Sequence, residues 1–596
     1  MRVKPLTIGD LRNLINTALG RVKADLVLKN ANLVNVYTCE IISGVDIAVK
    51  GSRIALVGRA SHTIGVNTKV IDCSKYYVAP GFLDGHVHIE SSMLTPIRFS
   101  EVVIPHGTTG VFIDPHEIAN VLGVNGVKYF IEESKNTPLR IFIEVPSCVP
   151  ASEIDTSATT ITLSDVVELL KLNETIGLAE VMDFTGVLDC RDELLGKIVS
   201  AIELGKIVDG HAPGLSGREL SAYISANIDS DHECISVNEA MDRVRLGMYV
   251  MVREGSAWRD LSEIAKILRR SRELDLRMFL LVSDDVNCYD LLVRGHMDYI
   301  VRRAIELGVD PVKAIQMATL NTALRFKLQD DIGGLAPGKL ADIVLLSDLE
   351  KVKVDTVIID GVIVAKNYKN LWSTPPKYKP PDYVFNTIKL KRPVKPEDFT
   401  IKAPITEGEV EARVIGIVPY KAVTKHLIEK VKVRNGIVVS DVERDILKIA
   451  VIERHHRTGR IGLGLVKGFG FKYGALASSI AHDSHNIIVT GVSDSDMSIA
   501  VNTLSKCGGG IVFVGKGRVE AIVKLPIAGL LSNEPPEKVA ESLVELRNAC
   551  RKAGSKLEEP FMTLSILALS VIPELRITDK GLFDVVKGRI VSLFLQ

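Results

Sequence analysis

Two histidines one residue apart, in Gly85-His86-Val87-His88, close the apolar run Tyr77-Val78-Ala79-Pro80-Gly81-Phe82-Leu83-Asp84. Side chains at i and i+2 of a strand share a face. Both imidazoles can therefore reach one metal ion. Later apolar runs end in groups of similar chemistry: Asp114-Pro115-His116-Glu117, Glu144, Glu180, His211, Asp231-His232, Arg253-Glu254 and Ser283-Asp284-Asp285. Singly, each has a plain structural reading, Glu180 as an ion-paired carboxylate and His211 as a satisfied core histidine. Jointly, His86, His88, Glu180, His211, His232 and Asp284 put four imidazoles and two carboxylates at the ends of five of these runs. A metal-assisted hydrolytic site accounts for all six at once.

Those groups need a scaffold that gathers strand ends. Short apolar runs alternate with helical stretches at 78–88, 110–114, 140–145, 176–181, 206–211, 226–231, 248–253 and 277–284. Eight such units over about 200 residues predict an α/β (β/α)8 TIM barrel across 78–330, whose catalytic groups collect at the carboxyl ends of the strands. A doubly wound sheet would more often have five or six strands. Before the barrel, residues 1–77 predict a helix over 7–20, with Leu11, Leu14, Ile15 and Leu19 on one face, then glycine-punctuated strands. Residues 331–370 return to strands after a closing helix over 311–325. The two parts are expected to form one composite β-sandwich flanking the barrel. Six prolines make 371–400 a linker, and 401–596 reads as a C-terminal α/β domain.

At 596 residues the chain exceeds one core. Lys+Arg and Asp+Glu both total 73, so nothing electrostatic favours nucleic acid or an anionic membrane surface. Eight cysteines without a CxxC pair indicate neither a disulfide framework nor a thiolate metal site. Met1-Arg2-Val3-Lys4-Pro5 lacks the apolar core of a leader peptide, and no run approaches the roughly 20 apolar residues of a membrane span. A cytoplasmic protein is expected. Arg454-His455-His456-Arg457 reads as a solvated basic loop. Gly462-Leu463-Gly464 and Gly468-Phe469-Gly470 read as turn glycines, since neither fits a phosphate-binding loop.

His86-Val87-His88, Glu180, His211, His232 and Asp284 resemble, in type and order, the ligand set of the amidohydrolase superfamily. Longer stretches resemble its adenine deaminase family: residues 80–94, Asp114-Pro115-His116-Glu117-Ile118-Ala119-Asn120-Val121, His211-Ala212-Pro213-Gly214-Leu215 and Ala481-His482-Asp483-Ser484-His485-Asn486. The likeness runs nearly end to end. It implies two divalent metal ions, with Mn or Fe favoured and Zn also suited, and a purine base as substrate. A homodimer is implied too. Where many superfamily members bridge their metals with a carboxylated lysine, Gly177-Leu178-Ala179-Glu180-Val181 offers Glu180.

On that resemblance His86, His88 and Asp284 hold one metal, His211 and His232 the other, and Glu180 bridges. Water bound to such ions loses a proton near pH 7 rather than 15.7. Asp284 is the expected general base. Glu117 or His116 would supply a proton at the purine ring, unless that segment and Asp114 merely cap a helix and line a solvated loop. Asp285, His482 and His485 are the expected substrate contacts, with a structural turn the alternative for 482–485. Two rivals remain: a dihydroorotase- or hydantoinase-like enzyme using Arg253 for a substrate carboxylate, and a non-catalytic scaffold.

Overall fold

The computed structural model describes residues 5–595 apart from 153, 271–273, 374–377 and 420. The expectations resting on residues 1–4 and on Pro375 and Pro376 lie outside the described residues. Among those described, no helix is long and apolar enough to cross a membrane.

Eight parallel strands form the barrel: β1 (Phe82–Val87), β2 (Thr108–Ile113), β3 (Arg140–Val145), β4 (Thr175–Val181), β5 (Ile207–Gly210), β6 (Ser230–Asp231), β7 (Tyr249–Arg253) and β8 (Phe279–Val282). Hydrogen bonds join β1 to β5 as one sheet and β6 to β8 as a second. The ring closes where Val87 bridges Asp284 in parallel. β6 is shorter than 226–231 predicts. Ala226 instead caps the helix Gly217–Ser225, and Asn227 turns the chain at φ 65°. Inside the barrel, away from the metal-ligand candidates, Phe112 stacks between Phe142 and Phe326, with centroids 4.7 and 3.6 Å apart. Leu83, Leu280 and Val282 fill the same layer, as a packed barrel interior requires. The closing helix is two helices, Pro311–Met317 and Leu320–Arg325. The Thr319 hydroxyl donates to Ile315 O at 2.6 Å, competing with the helical ladder at the break.

Outside the barrel, the segments that precede and follow it in the chain share a sheet. Tyr77–Pro80 pairs antiparallel with Ile343–Asp348 and parallel with Leu26–Asn35, and hydrogen bonding links nine strands of this sandwich unit. Its core includes Leu28, Ile47, Ile54, Val78, Ile343 and Ile358. The N-terminal helix spans Ile8–Ala18 behind a Thr7–Asp10 capping box. Of its expected apolar face only Leu14 is buried; Leu11, Ile15 and Leu19 stay exposed. Arg140 at the start of β3 ties barrel to sheet: it donates to both oxygens of Asp342, at 2.8 and 3.1 Å, and to Asp360.

Segment 371–400 holds two single 3-10 turns, Asp382–Val384 and Pro396–Phe399, which bury Val384 and Phe399. Beyond it, nine strands from Gly408–Ile417 to Arg518–Lys524 make a second large sheet, covered by Asp494–Cys507 and Pro536–Lys552. The basic loop reading fails for its first half. Arg454 and His455 are buried, and only His456 and Arg457 face solvent. The Arg454 guanidinium donates to the carbonyls of His485 and Ala528 and to the Thr387 hydroxyl, so it packs the 481–486 loop from beneath. The turn reading also fails for Gly462 and Gly464, which lie inside the strand Ile461–Lys467. A Cβ on Gly462 would stand 1.9 Å from Thr578 O, so this glycine permits a second sheet to approach.

Two stability predictions follow from these buried groups. Asp342→Ala removes the two-oxygen partner of the buried Arg140, and is expected to cost about 3 kcal/mol, read as a lower unfolding midpoint. His455 donates Nε2–H to Ser484 O at 2.8 Å; burial, then the Arg454 charge, pulls its pKa down to about 3. Between pH 6.5 and 3 the unfolded chain binds a proton there that the folded chain refuses. That contribution to stability is complete above pH 6.5 and is lost as pH falls through the window. Urea unfolding across pH should show a flatter acid limb in His455→Gln; an unchanged limb removes His455 as a cause.

Candidate metal centre and active site

The barrel delivers its polar groups at one rim. His86 is the penultimate residue of β1 and His88 follows the strand; Glu180 stands in β4; His211 and His232 follow β5 and β6; Asp284 lies two residues beyond β8. Closure of the ring itself fixes three of them. Asp284 N–H donates to His86 O at 3.0 Å, and His88 N–H to Asp284 O at 3.1 Å. Asp284 takes the left-handed conformation, φ 57°, which Asp tolerates better than most residues and which ends the strand at this point.

Glu180 is the hub. Its Oε1 lies 3.4 Å from His88 Nε2, 3.6 Å from His116 Nδ1 and 4.0 Å from His86 Nε2. Its Oε2 lies 2.8 Å from His211 Nδ1 and 3.3 Å from His232 Nε2. Asp284 Oδ1 completes the first lobe, 3.3 Å from His88 Nε2 and 3.7 Å from His86 Nε2. The overlapping groups His86–His88–Asp284, His86–Glu180–His232 and His211–His232–Glu233 could each hold a metal ion, with Glu180 close to histidines of all three, and all six side chains predicted as ligands are buried. Among the described residues His86 Nε2 has no hydrogen-bond partner, and Glu180 Oε2 meets only the two histidine nitrogens already named. Buried polar atoms left unmade are costly, and a cation between them would satisfy both. The donor set, imidazole and carboxylate without thiolate, fits a divalent first-row metal.

Supporting groups fix the imidazole tautomers. His88 Nδ1–H donates to Asp114 O at 3.0 Å, and His86 Nδ1 faces Asp209 Oδ2 at 3.4 Å. Each leaves Nε2 toward the cluster, as metal-bound histidines require. Burial opposes charge throughout, yet the charge of Glu180 pushes His232 up to about 10. Against the same burial, His232 and His211 hold Glu180 well below the usual carboxylate range. For Asp284 a hydrogen bond from His88 and the Arg253 guanidinium do likewise. The carboxylates thus favour the protonated forms of His88, His211 and His232, and bound cations would displace those protons.

The C-terminal domain closes the mouth. His482 Nδ1 lies 2.9 Å from Glu117 Oε1, and His485 Nε2 is 4.0 Å from Glu117 Oε2. Asp483 Oδ1 is 3.6 Å from His116 Nε2. Asp285 accepts from the Ser91 hydroxyl, and Glu90, beside Glu117, is pushed up to about 8 by burial and by that neighbouring charge. A cavity of about 50 Å³ lies between the metal-ligand candidates and an apolar roof of Ile566, Leu569, Val571 and Ile572. Glu117, Asp285 and His482 face it; His485 stands behind Glu117.

The structure brings all the named site residues to this one cavity or its immediate wall, and it revises several neighbouring readings. Asp114 is no helix cap: its carboxylate accepts from His116 Nδ1 at 3.0 Å, while Pro115 takes the cap position without a side-chain bond. His116 and Glu117 are buried rather than in a solvated loop. Arg253 is saturated by Glu233 (2.5 Å), Asp260 (2.9 Å) and Asp284 (3.1 Å), leaving no fork for a substrate carboxylate. Asp209, Glu233 and the roof went unread. Asp209 shares a strand face with His211, and Glu233 adjoins His232, so both carried a local signal. The roof carried none, since its apolar residues differ in no way from core.

Residues 77–364 match the amidohydrolase family and residues 421–589 the adenine deaminase C-terminal domain. The chain is 47% identical to an adenine deaminase of Staphylothermus marinus, over 98% of both chains. It is 45% identical to an adenine deaminase of Clostridium botulinum (strain Langeland), again over 98% of each. Among solved structures, a β-aspartyl dipeptidase from Fervidobacterium islandicum is similar at 16% identity and a TM-score of 0.44, covering 59% of this chain and 98% of that one. Identity of this extent through both regions makes the chain a member of the adenine deaminase family, within the amidohydrolases.

Proposed function

We propose that the chain hydrolyses adenine to hypoxanthine and ammonia, a purine-salvage reaction, as a cytoplasmic homodimer. The observation that carries this reading is the shared carboxylate. Glu180 stands between a His86–His88–Asp284 lobe and a His211–His232 lobe, directly beside the Glu117–His482 pair. Each lobe would hold one divalent ion, Mn or Fe before Zn. Bound there, the ions would lower the pKa of water and polarise the carbon it attacks.

The chain's own groups supply the rest. Asp284 takes the proton of the attacking water and delivers it to the departing C6 amine. Its second oxygen is held by Arg253 at 3.1 Å, which keeps the first aimed at the cluster. Glu117, held ionised by His482 and His485, shares with His482 a proton that the pair presents to the purine ring nitrogen that gains electron density as C6 is attacked; His116, hydrogen-bonded to Asp114, stands on the same side. Asp285, fixed by Ser91, and the His482–His485 loop orient the base. The cyclic-amide reading loses its carboxylate clamp because Arg253 is fully paired. A scaffold without chemistry would not keep a complete buried donor set at the cost of its unsatisfied atoms.

Manganese-loaded protein is expected to release one ammonia per adenine consumed and to bind two metal ions. Glu180→Gln should lower bound metal to one ion or fewer and abolish turnover. Asp284→Asn should lower kcat by about 10²–10⁴-fold. Ring opening of a cyclic amide with no ammonia released from adenine would overturn the assignment, and undiminished kcat in Asp284→Asn would remove Asp284 as the base.

A further inference from the structure

The roof over the candidate metal centre contains no polar side chain, yet it is held by a buried cation. Ile566 ends the helix Pro560–Ile566, and Leu569, Val571 and Ile572 follow it across the cavity; Ala422 completes that wall. Behind them lies Arg576, with no exposed surface and, among the described residues, no carboxylate within ion-pair distance. Burial alone draws its pKa down to about 9. An unpaired buried guanidinium is expensive to keep, so its hydrogen bonds show what it maintains. Nε donates to Ile572 O at 2.7 Å and Nη1 to Ile566 O at 2.9 Å. Nη2 donates to Ala422 O at 2.7 Å and Pro573 O at 3.1 Å. Three of these four carbonyls belong to residues that line the cavity. The guanidinium fork is thus a rivet through the roof, a geometry that the single ammonium of lysine does not reproduce.

The roof's height has a chemical consequence. The cavity of about 50 Å³ holds only a few waters, by the usual 10–15 Å³ needed for each. In the adenine reading, C6 lies against the metal-ligand floor. N9, at the far end of the purine, would then face the roof. An N9 substituent would meet the apolar side chains of Ile566, Leu569, Val571 and Ile572, whose backbone Arg576 holds, and these offer ribose hydroxyls no partner. We propose that Arg576 is a positioning residue which, through Ile566, Ile572 and Ala422, sets a roof that selects free purine bases over N9-substituted purines and nucleosides. This rests on the adenine assignment above.

The test is steady-state kinetics of full-length, metal-loaded protein on adenine, 9-methyladenine and adenosine. Wild type should deaminate adenine and neither of the others. Leu569→Ala and Ile572→Ala should raise kcat/KM for 9-methyladenine relative to adenine by about 10-fold or more, the scale on which one methylene in a pocket discriminates. Arg576→Lys should raise the adenine KM by about 10-fold with kcat and metal content little changed, and relax the same discrimination. Should Arg576→Lys not fold, the two roof truncations decide alone. An unaltered 9-methyladenine to adenine ratio in both truncations overturns the roof as selector. A lower thermal midpoint in Arg576→Lys with an unchanged adenine KM overturns its positioning role. Wild type that turns over 9-methyladenine as fast as adenine overturns the inference and leaves the adenine assignment standing; wild type inert on adenine overturns both.

Discussion

One buried carboxylate organises this protein. Glu180 stands within 4.0 Å of five imidazoles, drawn from four different strand ends. Without counter-charge such a group would be neutral or absent, because desolvating an anion in a protein interior is prohibitive. Its presence dictates the surroundings: histidines on both sides, main-chain and carboxylate partners behind those histidines, and a closed barrel to hold the distances. The same demand reaches outward. Asp284 needs Arg253, and Arg253 needs Glu233 and Asp260. The rim is thus one connected network of alternating charges, in which each member's cost is offset by its neighbours.

The C-terminal domain takes part in that network rather than merely following the barrel. It contributes His482 to Glu117, Asp483 to His116 and the apolar roof. Its own contribution depends on two arginines that are buried, among the described residues, without a carboxylate partner. Arg454 gathers carbonyls beneath the 481–486 loop, and Arg576 gathers carbonyls behind the roof. Irregular backbone near a site has no ladder to satisfy its carbonyls. A guanidinium with several rigid donors answers that need in one residue, and both loops use it. The metal-ligand floor therefore comes from the barrel, and the apolar roof, together with His482 and Asp483, from the C-terminal domain.

How much of this was legible follows from the range of the interactions involved. His86-Val87-His88, Glu180, His211, His232 and Asp284 stood out because strand ends announce themselves: an apolar run of the right length stops, and a ligand-type residue stands at the stop. The barrel and its flanking sheet followed from the same local alternation. Arg454 and His455 misled because two arginines and two histidines in a row look solvated, and their burial depends on Ala528 and Ser484, far along the chain. Gly462 misled for the same reason, since the neighbour that demands it, Thr578, is over a hundred residues away.

By itself, then, the sequence determined the element order and the chemistry, because periodicity and residue type act over a few positions and need no partner. Only the tertiary structure decided which oxygen of Glu180 faces which histidine, that Arg253 is already saturated, and that Ile566, Leu569 and Ile572 roof a cavity instead of filling a core. Those outcomes depend on distances between segments, and distance is set by closing the barrel and docking the second domain against its mouth, not by any local pattern.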